Sequence, residues 1–385
     1  MILWKIIFKN AFRHKLRTAL TVLAVAVAIL AFGLLRTVIS TWYASVETSS
    51  ATRLITRNAV SITFPLPLSY YSKIRQVDHV EMVSYGNWFG GIYITEENFF
   101  ANFAVEPETY LELYPEYLID EDQRSSFLRD RRGFIAGRQL VERFGWEVGD
   151  IVTLEGTIYP GNWEFQLQAV YRGRDENVDE SQFFFHWEYL NETLEETDPA
   201  MADQVGYYLV GITDPDMAAQ VAGEIDALFA NSPAETITET EESFVLGFIS
   251  MTETIIEVIR IVSLVVIVII LAVVANTMAM TTRERTGEYA VLKTLGYSGG
   301  QITFLIMGEA LIISLCGALL GILLTYPAAL GFRQALRAFF PTFNVQPDTI
   351  LIDLGIAVIV GIAASLIPSR QAVRIRIAEG LRRIG

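Results

Sequence analysis

Residues 261–280, IVSLVVIVIILAVVANTMAM, decide the class of fold. No charged side chain interrupts this run, and about 20 apolar residues are enough for an α-helix to cross the ~30 Å hydrocarbon layer of a bilayer. Three further apolar runs have comparable length: 19–35, 303–330 and 350–367. The sequence therefore predicts four transmembrane helices, at 18–40, within 251–281, at 303–330 and at 350–368.

The composition is typical of a membrane protein. Of the 385 residues, 52% are hydrophobic and only 19% are charged, and the mean hydropathy is +0.36. The formal net charge of −15 argues against a nucleic-acid partner, because binding to phosphates requires an extended basic face. The single cysteine, Cys316, excludes both an intramolecular disulfide and a cysteine metal cage.

Charge is divided along the chain. Residues 41–250 carry 36 acidic and 12 basic residues, whereas the rest of the chain has an excess of bases. Basic residues beside the spans and in short loops mark the cytoplasmic side. They are Lys5, Lys9, Arg13, Lys15, Arg17, Arg283, Arg285, Lys293, Arg370, Arg374, Arg376, Arg382 and Arg383. We expect both termini, segment 282–302 and the basic tail 369–385 to be cytoplasmic, and residues 41–250 and loop 331–349 to lie outside.

The first 17 residues form an amphipathic pattern. Leu3, Trp4, Ile7, Phe8, Ala11 and Phe12 recur at helical spacing opposite Lys5, Lys9 and Arg13. This favours a helix lying in the cytoplasmic interface, and the alternative is a simple extension of the first span. The apolar run that follows is longer than that of a signal peptide, so we interpret it as an uncleaved helix.

The segment between the first two spans predicts an α+β domain. Strands are expected at 59–64, 80–85, 91–95, 205–212 and 236–240, and helices at 66–76 and 214–230. This order, βαββ, insertion, βαβ, is that of a split ferredoxin-like unit. The inserted lobe is expected at about 106–204, with a helix at 137–144 and strands at 151–155 and 164–171. The predicted fold class is an α-helical membrane protein with four transmembrane helices (1+3) and a large α+β extracytoplasmic domain between helices 1 and 2.

Motifs for chemistry are absent from the sequence. It contains no G-x-x-x-x-G-K-[ST] phosphate loop, no G-x-S-x-G elbow and no H-E-x-x-H zinc helix. The three histidines, His14, His79 and His186, are scattered. We therefore expect no enzymatic activity, no cofactor and no metal in this chain.

Residues 281–302, TTRERTGEYAVLKTLGYSGGQI, resemble the loop between the second and third spans of MacB/FtsX-like ABC transporter permeases. The segment WKIIFKNAFRHKLRTALTVLAVAVAI, residues 4–29, is similar to the first span of that family, and GIAASLIPSRQAVRIRIAEGLRR, residues 361–383, to its last span and basic tail. The absence of an ATPase sequence matches the split members, in which the nucleotide-binding subunit is a separate polypeptide.

The resemblance implies that segment 282–302 couples the chain to a cytoplasmic ABC ATPase dimer, which would hold ATP and Mg²⁺. Seven residues match the coupling segment of the family: Glu284, Arg285, Gly287, Glu288, Leu292, Lys293 and Gly296. We expect a short helix ended by Gly296, with Tyr289, Leu292 and Leu295 on one face. The alternative is an ordinary connector that packs only on its own bundle.

The resemblance also implies a place in the bacterial inner membrane, contact with membrane lipids and a second permease copy. A periplasmic adaptor or outer-membrane channel is a further partner in the family. The function implied is export or extraction of a lipoprotein, peptide or amphiphile. The alternative is an FtsX-like signalling protein that activates a periplasmic partner such as a cell-wall hydrolase. The sequence identifies neither the substrate nor the direction of transport.

Three features of the spans carry expectations about packing. Glu309, near the cytoplasmic edge of the third span, is expected to pair with a base such as Arg283 or Arg285. Gly317 and Gly321 form a G-x-x-x-G motif, which permits close helix approach and is weak support for dimerisation. A heptad seam is expected along a continuous stalk helix that enters the second span, and it comprises Phe244, Phe248, Met251, Ile255, Val258 and Val262.

The spans contain too few polar residues to line a water-filled path. We expect cysteines at Val266, Leu319 and Val358, in a Cys316→Ser background, to resist a water-soluble thiol reagent during ATP turnover. Cysteines in the outer domain serve as the labelled control. Strong mid-membrane labelling that substrate blocks would show a channel and contradict this expectation.

Overall fold

The computed structural model describes residues 2–47, 49–175, 177–335 and 343–375. It divides into two compact units. The helical unit comprises residues 2–41, 253–335 and 343–375, and the sheet unit comprises residues 42–252 apart from positions 48 and 176. The expected loop residues 336–342 and the tail residues 376–385, with Arg376, Arg382 and Arg383, lie outside the described residues.

The helical unit begins with α1 (Ile2–Ala11) and α2 (Lys15–Glu47). Residues 12–14 separate them. Ile7 and Ala11 of α1 are buried, whereas Phe8 and Phe12 are exposed. The predicted apolar face of α1 is therefore divided, because its two smaller apolar residues pack inside the unit and its two phenylalanines face outwards. The side chains of Leu3 and Trp4 lie outside the described residues.

The first half of the sheet unit alternates strands with short helices. Its elements are β1 (Arg53–Asn58), β2 (Leu66–Pro67), α3 (Tyr71–Ile74), β3 (Val80–Trp88), β4 (Gly91–Ile92), β5 (Asn102–Val105), α4 (Pro107–Leu113), β6 (Tyr117–Leu118), α5 (Glu121–Arg129), β7 (Gly133–Gly137) and α6 (Arg138–Phe144). Single 3₁₀ turns occur at Leu68–Tyr70 and Glu96–Asn98.

The second half continues the same sheet and ends in a helix. Its elements are β8 (Ile151–Gly156), β9 (Gly161–Gly173), β10 (Phe183–His186), α7 (Trp187–Thr197), β11 (Gln204–Val205), β12 (Tyr207–Ile212), α8 (Ala218–Leu228), β13 (Thr236–Thr240) and α9 (Glu241–Ser250). A 3₁₀ turn at Pro215–Met217 precedes α8, and the Asp214 side chain accepts a hydrogen bond from the Asp216 backbone N–H.

One long sheet forms the centre of this unit. Its strand order is β13-β1-β12-β3-β5-β10-β7-β9-β8-β4, and β6 pairs with β9. The first four strands, in the order 4-1-3-2 by chain position, pair antiparallel and carry α3 and α8 on one face. This is the split ferredoxin-like arrangement that the sequence predicts. The rest of the sheet extends it from the edge of β3.

Helices cover both faces of the sheet. Successive residues of a strand point to opposite faces, and in β10 the side chains of Phe183 and Phe185 join one core while Phe184 joins the other. Helices α3, α6, α7 and α8 contribute to the first core, and α4 and α5 to the second. Burial on both faces explains why the first three residues of β10 are all phenylalanine.

Three predictions for this unit are wrong in detail. Residues 59–64 are not a strand; β1 lies just before them, and Val60 is 80% exposed. The predicted helix 66–76 shortens to α3 behind a strand and a 3₁₀ turn. The inserted lobe does not begin at Glu106, because β5 already joins β3 to the lobe strand β10, and β4 pairs with β8 at the far edge. The insertion therefore starts after Trp88 and shares the sheet.

A buried ion network lies where the chain enters and leaves this sheet. Arg53, the first residue of β1, donates from Nε to Glu241 (2.8 Å) and from Nη2 to Glu116 (2.7 Å). Tyr114 donates to Glu241 (2.9 Å), and its ring lies 4.1 Å from the Arg53 guanidinium. Glu241 begins α9. The network therefore fastens the start of β1 to the start of α9.

The helical unit resumes with α10 (Glu253–Glu284), α11 (Thr286–Thr294), α12 (Gly299–Ala335) and α13 (Pro347–Arg374). Among the described residues, four segments are long and apolar enough to cross a membrane: Lys15–Tyr43, Glu253–Glu284, Gly299–Arg333 and Pro347–Arg374. The sheet unit lies between the first and second of them, which confirms the predicted fold class.

The G-x-x-x-G motif of α12 packs inside the chain. A Cβ on Gly317 would lie 2.6 Å from Val25 Cβ, and one on Gly321 would lie 2.7 Å from the Ala26 carbonyl oxygen. Both neighbours belong to α2. The motif thus permits the first and third spans to approach each other within the chain, and it provides no support for dimerisation.

We expect Gly317→Val and Gly321→Val to destabilise the helical unit by about 1–3 kcal/mol each, because the added methyl groups must displace α2. Thermal unfolding of the purified chain in detergent measures this. Gly355→Val in α13 is the matched control, since a Cβ there meets no atom within 4 Å. Equal melting temperatures for all three variants would contradict the α2–α12 contact.

Candidate functional site

The segment between the second and third spans folds as the short helix α11. Its N-cap is Arg285, and Thr286 Oγ1 donates to the Arg283 carbonyl (2.9 Å). Gly296, with φ of +87°, ends the helix, and the Tyr297 N–H donates to the Leu292 carbonyl (3.0 Å). Glycine tolerates this left-handed conformation without a steric cost. The predicted stop at Gly296 matches the structure.

Arg285 is the centre of a buried ion network. Only 7% of its surface is exposed, and its Nη1 donates to Glu309 of α12 (2.9 Å). Its Nε donates to Glu288 of α11 (2.9 Å), and its guanidinium lies 5.4 Å from the Tyr289 ring. A buried charge is tolerated only when such partners replace water. Of the two bases expected to pair with Glu309, the structure selects Arg285.

The groups around Arg285 raise its pKa by more than burial lowers it. Desolvation lowers the pKa of Arg285, but Tyr289, Glu309 and Glu288 raise it, so its pKa lies above the ordinary arginine value. Desolvation raises the pKa of Glu288, whereas hydrogen bonds from Arg285 and Arg13 lower it, and the net pKa is below the ordinary value. Both side chains therefore stay charged through the neutral pH range.

Bases from the start of the chain complete the network. Arg17 of α2 donates twice to Glu284, at 2.8 and 2.7 Å, and Arg13, between α1 and α2, pairs with Glu288. In the sequence, Arg13 and Arg17 served only to mark the cytoplasmic side of the membrane. They were not predicted as partners of Glu288 and Glu284. The available signal was the surplus of bases before the first span, although their partners are more than 260 residues away.

Lys293 joins α11 to the end of α13. Its Nζ donates to the carbonyls of Val373 (2.6 Å) and Ile375 (2.8 Å). A helix C-terminus leaves carbonyl groups without helical partners, and lysine is suited to bind them. Gly287 lies half-buried in the first turn of α11, and Leu292 packs against the helical core. Five of the seven predicted coupling residues therefore make contacts within the chain, Gly287 is half-buried, and Gly296 ends the helix.

The outward face of α11 differs from the predicted one. Tyr289 is buried at 2% exposure, whereas Leu295 is 70% exposed and Val291 is 40% exposed. Tyr289, Leu292 and Leu295 therefore do not share one face of the helix. Val291 and Leu295, one turn apart, form an apolar surface that sequence reasoning missed. We call this pair the α11 outer face.

The predicted stalk is interrupted. Helix α9 ends at Ser250 and α10 begins at Glu253, with a turn at residues 251–252, so the helix is not continuous. Phe244 packs against a core of the sheet unit. The other seam residues are exposed by 44–79%: Phe248, Met251, Ile255, Val258 and Val262.

Comparison with known proteins identifies the domain that contains α11. Residues 260–377 match the family described as FtsX-like permease C-terminal. These residues form an FtsX-like permease domain. The match confirms, for this part of the chain, the resemblance to MacB/FtsX-like ABC transporter permeases.

Curated relatives of the permease domain and its neighbouring residues carry similar names. An uncharacterized ABC transporter permease protein of Mycobacterium tuberculosis is 24% identical over 67% of this chain and 30% of the relative. The macrolide export ATP-binding/permease protein MacB of Agrobacterium fabrum is 28% identical over 42% of this chain and 23% of the relative. The chain thus spans less than a third of the length of either relative.

Solved structures similar to this chain include extracytoplasmic regions of transporters. The periplasmic region of MacB from Actinobacillus actinomycetemcomitans covers 53% of this chain at 8% identity, with 95% of that structure matched and a TM-score of 0.38. The extracellular domain of the ABC-type transporter YknZ from Gram-positive bacteria covers 49% at 14% identity, with 98% of that structure matched and a TM-score of 0.36.

Breaking the Arg285–Glu309 pair should destabilise the permease domain. We expect Glu309→Ala to lower the free energy of unfolding by about 3–5 kcal/mol, because Arg285 would remain charged and buried. In Arg285→Met/Glu309→Leu both charges are absent, so most of the stability should return. Denaturant unfolding in detergent measures both variants.

The exposed pair provides the matched control. Arg13→Gln removes an ion pair whose side chains are 54% and 42% exposed, and such pairs contribute about 1 kcal/mol or less. A loss in Glu309→Ala no larger than that in Arg13→Gln would contradict a buried, stabilising network.

Proposed function

We propose that this chain is the permease subunit of an ABC transporter complex. In this proposal a separate cytoplasmic ATPase dimer binds ATP and Mg²⁺, and α11 receives its motion. The sheet unit then performs mechanical work on the outer side of the membrane. The FtsX-like permease domain and the names of the curated relatives support the proposal.

The observation that carries it is the division of α11 into two faces. The inward face is fixed by Arg285, Tyr289 and Lys293. The α11 outer face presents Val291 and Leu295, two exposed apolar side chains that lie one turn apart. A short helix with one fixed and one exposed apolar face is suited to bind in a groove of a partner.

The ion network offers a route from this helix to the spans. Glu284, the last residue of α10, is held by Arg17 of α2, Arg285 is held by Glu309 of α12, and Lys293 of α11 holds the end of α13. A displacement of α11 therefore acts on three of the four candidate spans at once. Bases concentrated at this end of the spans support a cytoplasmic location for α11 and an outer location for the sheet unit.

A second permease copy completes the proposed complex. The exposed Ile255, Val258 and Val262 of α10, which are spaced three and four residues apart, would pack against the same residues of that copy. We propose a lipoprotein, peptide or amphiphile as cargo. Should the complex instead contain a cell-wall hydrolase and no cargo, the chain would serve in transmembrane signalling.

We expect Val291→Ser/Leu295→Ser to lose co-purification of the ATPase at least tenfold, because the variant removes the apolar contact while leaving every ion pair of α11 intact. The measurement is the amount of ATPase recovered with the affinity-tagged chain from native membranes. Glu284→Ala/Glu288→Ala is a less selective change, since those carboxylates also hold Arg17, Arg13 and Arg285 within the chain.

The matched control is Leu118→Ser in the sheet unit, where the side chain is 51% exposed. This variant should retain the full amount of ATPase. Undiminished recovery with Val291→Ser/Leu295→Ser would refute the assignment of the α11 outer face.

A further inference from the structure

Helix α1 has one face that the permease domain fixes. Ile7 is fully buried and Ala11 is 2% exposed. A Cβ on Gly308 of α12 would lie 2.7 Å from Ile7 Cδ1, so glycine at this position permits close approach of the two helices. The helix is thus held against the third candidate span, and the orientation of its opposite face is determined.

The opposite face combines lysines with aromatic rings. Lys5, Phe8, Lys9 and Phe12 follow one another at helical spacing and are all exposed. The rings of Phe8 and Phe12 lie 5.0 Å apart. The exposed Lys15 and Leu16 at the start of α2 continue this surface. We call these six residues the α1 outer face.

The charges of this face are uncompensated within the described part of the chain. Arg13 and Arg17 pair with Glu288 and Glu284, whereas no described carboxylate pairs with Lys5, Lys9 or Lys15. The same face therefore carries three ammonium groups and two phenylalanine rings that are 60% and 37% exposed. A partner that matches this face needs negative charge and an apolar region side by side.

The position of the face relative to the first span selects a lipid as that partner. The first candidate span begins at Lys15, and its exposed Leu16 and Leu20 continue from the phenylalanines into the apolar part. The α1 outer face thus lies at the boundary where headgroups meet acyl chains. Lysine beside phenylalanine is the composition of helices that bind anionic membrane surfaces.

We propose that the α1 outer face is a binding site for anionic phospholipids, whose headgroup phosphates contact Lys5, Lys9 and Lys15 and whose acyl chains cover Phe8 and Phe12. Bound lipid restrains α1, and Arg13, which follows α1 directly, pairs with Glu288 of α11. Anionic lipid thereby sets the position of the helix that receives the ATPase. Only this last step rests on the proposed function.

The test measures lipid retention without nucleotide or ATPase. The full chain is purified in mixed micelles with equal amounts of phosphatidylglycerol and phosphatidylcholine, and retained lipid is quantified by mass spectrometry. We expect phosphatidylglycerol to be enriched at least tenfold. Lys5→Gln/Lys9→Gln/Lys15→Gln should abolish the enrichment, since each basic residue near an anionic surface strengthens binding about fivefold.

Two controls make the result specific. Lys73→Gln/Arg75→Gln/Arg129→Gln changes the net charge equally in the sheet unit and should keep the enrichment. Lys5→Arg/Lys9→Arg/Lys15→Arg keeps the charge on α1 and should also keep it. Equal retention of both lipids by the unaltered chain, or the same loss in the control variant, would overturn the proposal. Displacement of phosphatidylglycerol by millimolar glycerol phosphate would show a site for free phosphate and equally overturn a lipid site.

Discussion

The buried guanidinium of Arg285 is the constraint on which the end of the helical unit depends. It sits between the second span and α11, and without Glu309 it would carry a charge in an apolar environment. That requirement places α11 against α12 and turns Tyr289 inwards. Once Tyr289 is buried, the helical period directs Val291 and Leu295 to the outside. One ion pair therefore determines which side of α11 is available to a partner.

The close approach of α2 and α12 adds a second constraint. Helices that pack through glycine approach each other closely, and the van der Waals contact between their backbones favours the packed state. Here the small residues fix the first span to the third, and α1 is held to the same helix at Gly308. The first span, α1 and α12 thus behave as one body in the helical unit.

Local patterns in the sequence predicted the elements that depend on local physics. Apolar length identified all four candidate spans, Asp214 with Pro215 marked the start of the helical segment that includes α8, and β13 has the predicted bounds. Gly296 marked the end of α11 because few other residues adopt its backbone conformation without strain. These signals lie within a few residues of the feature that they specify.

Long-range pairing was not predictable in the same way. The sheet continues from β3 to β5 and then from β5 to β10, whose paired residues lie about 80 positions apart in the sequence. No pattern within a few residues predicts such a pairing. The partners of Glu284 and Glu288 likewise come from the other end of the chain. Residues 59–64 read as a strand because Val60, Ile62 and Phe64 alternate, yet they are exposed in a turn after β1. An apolar period alone does not show whether a neighbouring strand is present.

The network around Arg53 has a mechanical consequence. Strands β1 and β13 are antiparallel neighbours, and the chain arrives at the start of one and departs from the end of the other, so both connections lie at the same end of the pair. A force that pulls the two connections apart would break the backbone hydrogen bonds between β1 and β13 one after another. A sheet is weakest against a force in this direction. Arg53 and Glu241 bridge the first position that such a load would reach. The ion pair thus joins the start of β1 to the residue that follows β13. A force on either connection is therefore transmitted to the whole sheet before the two strands separate.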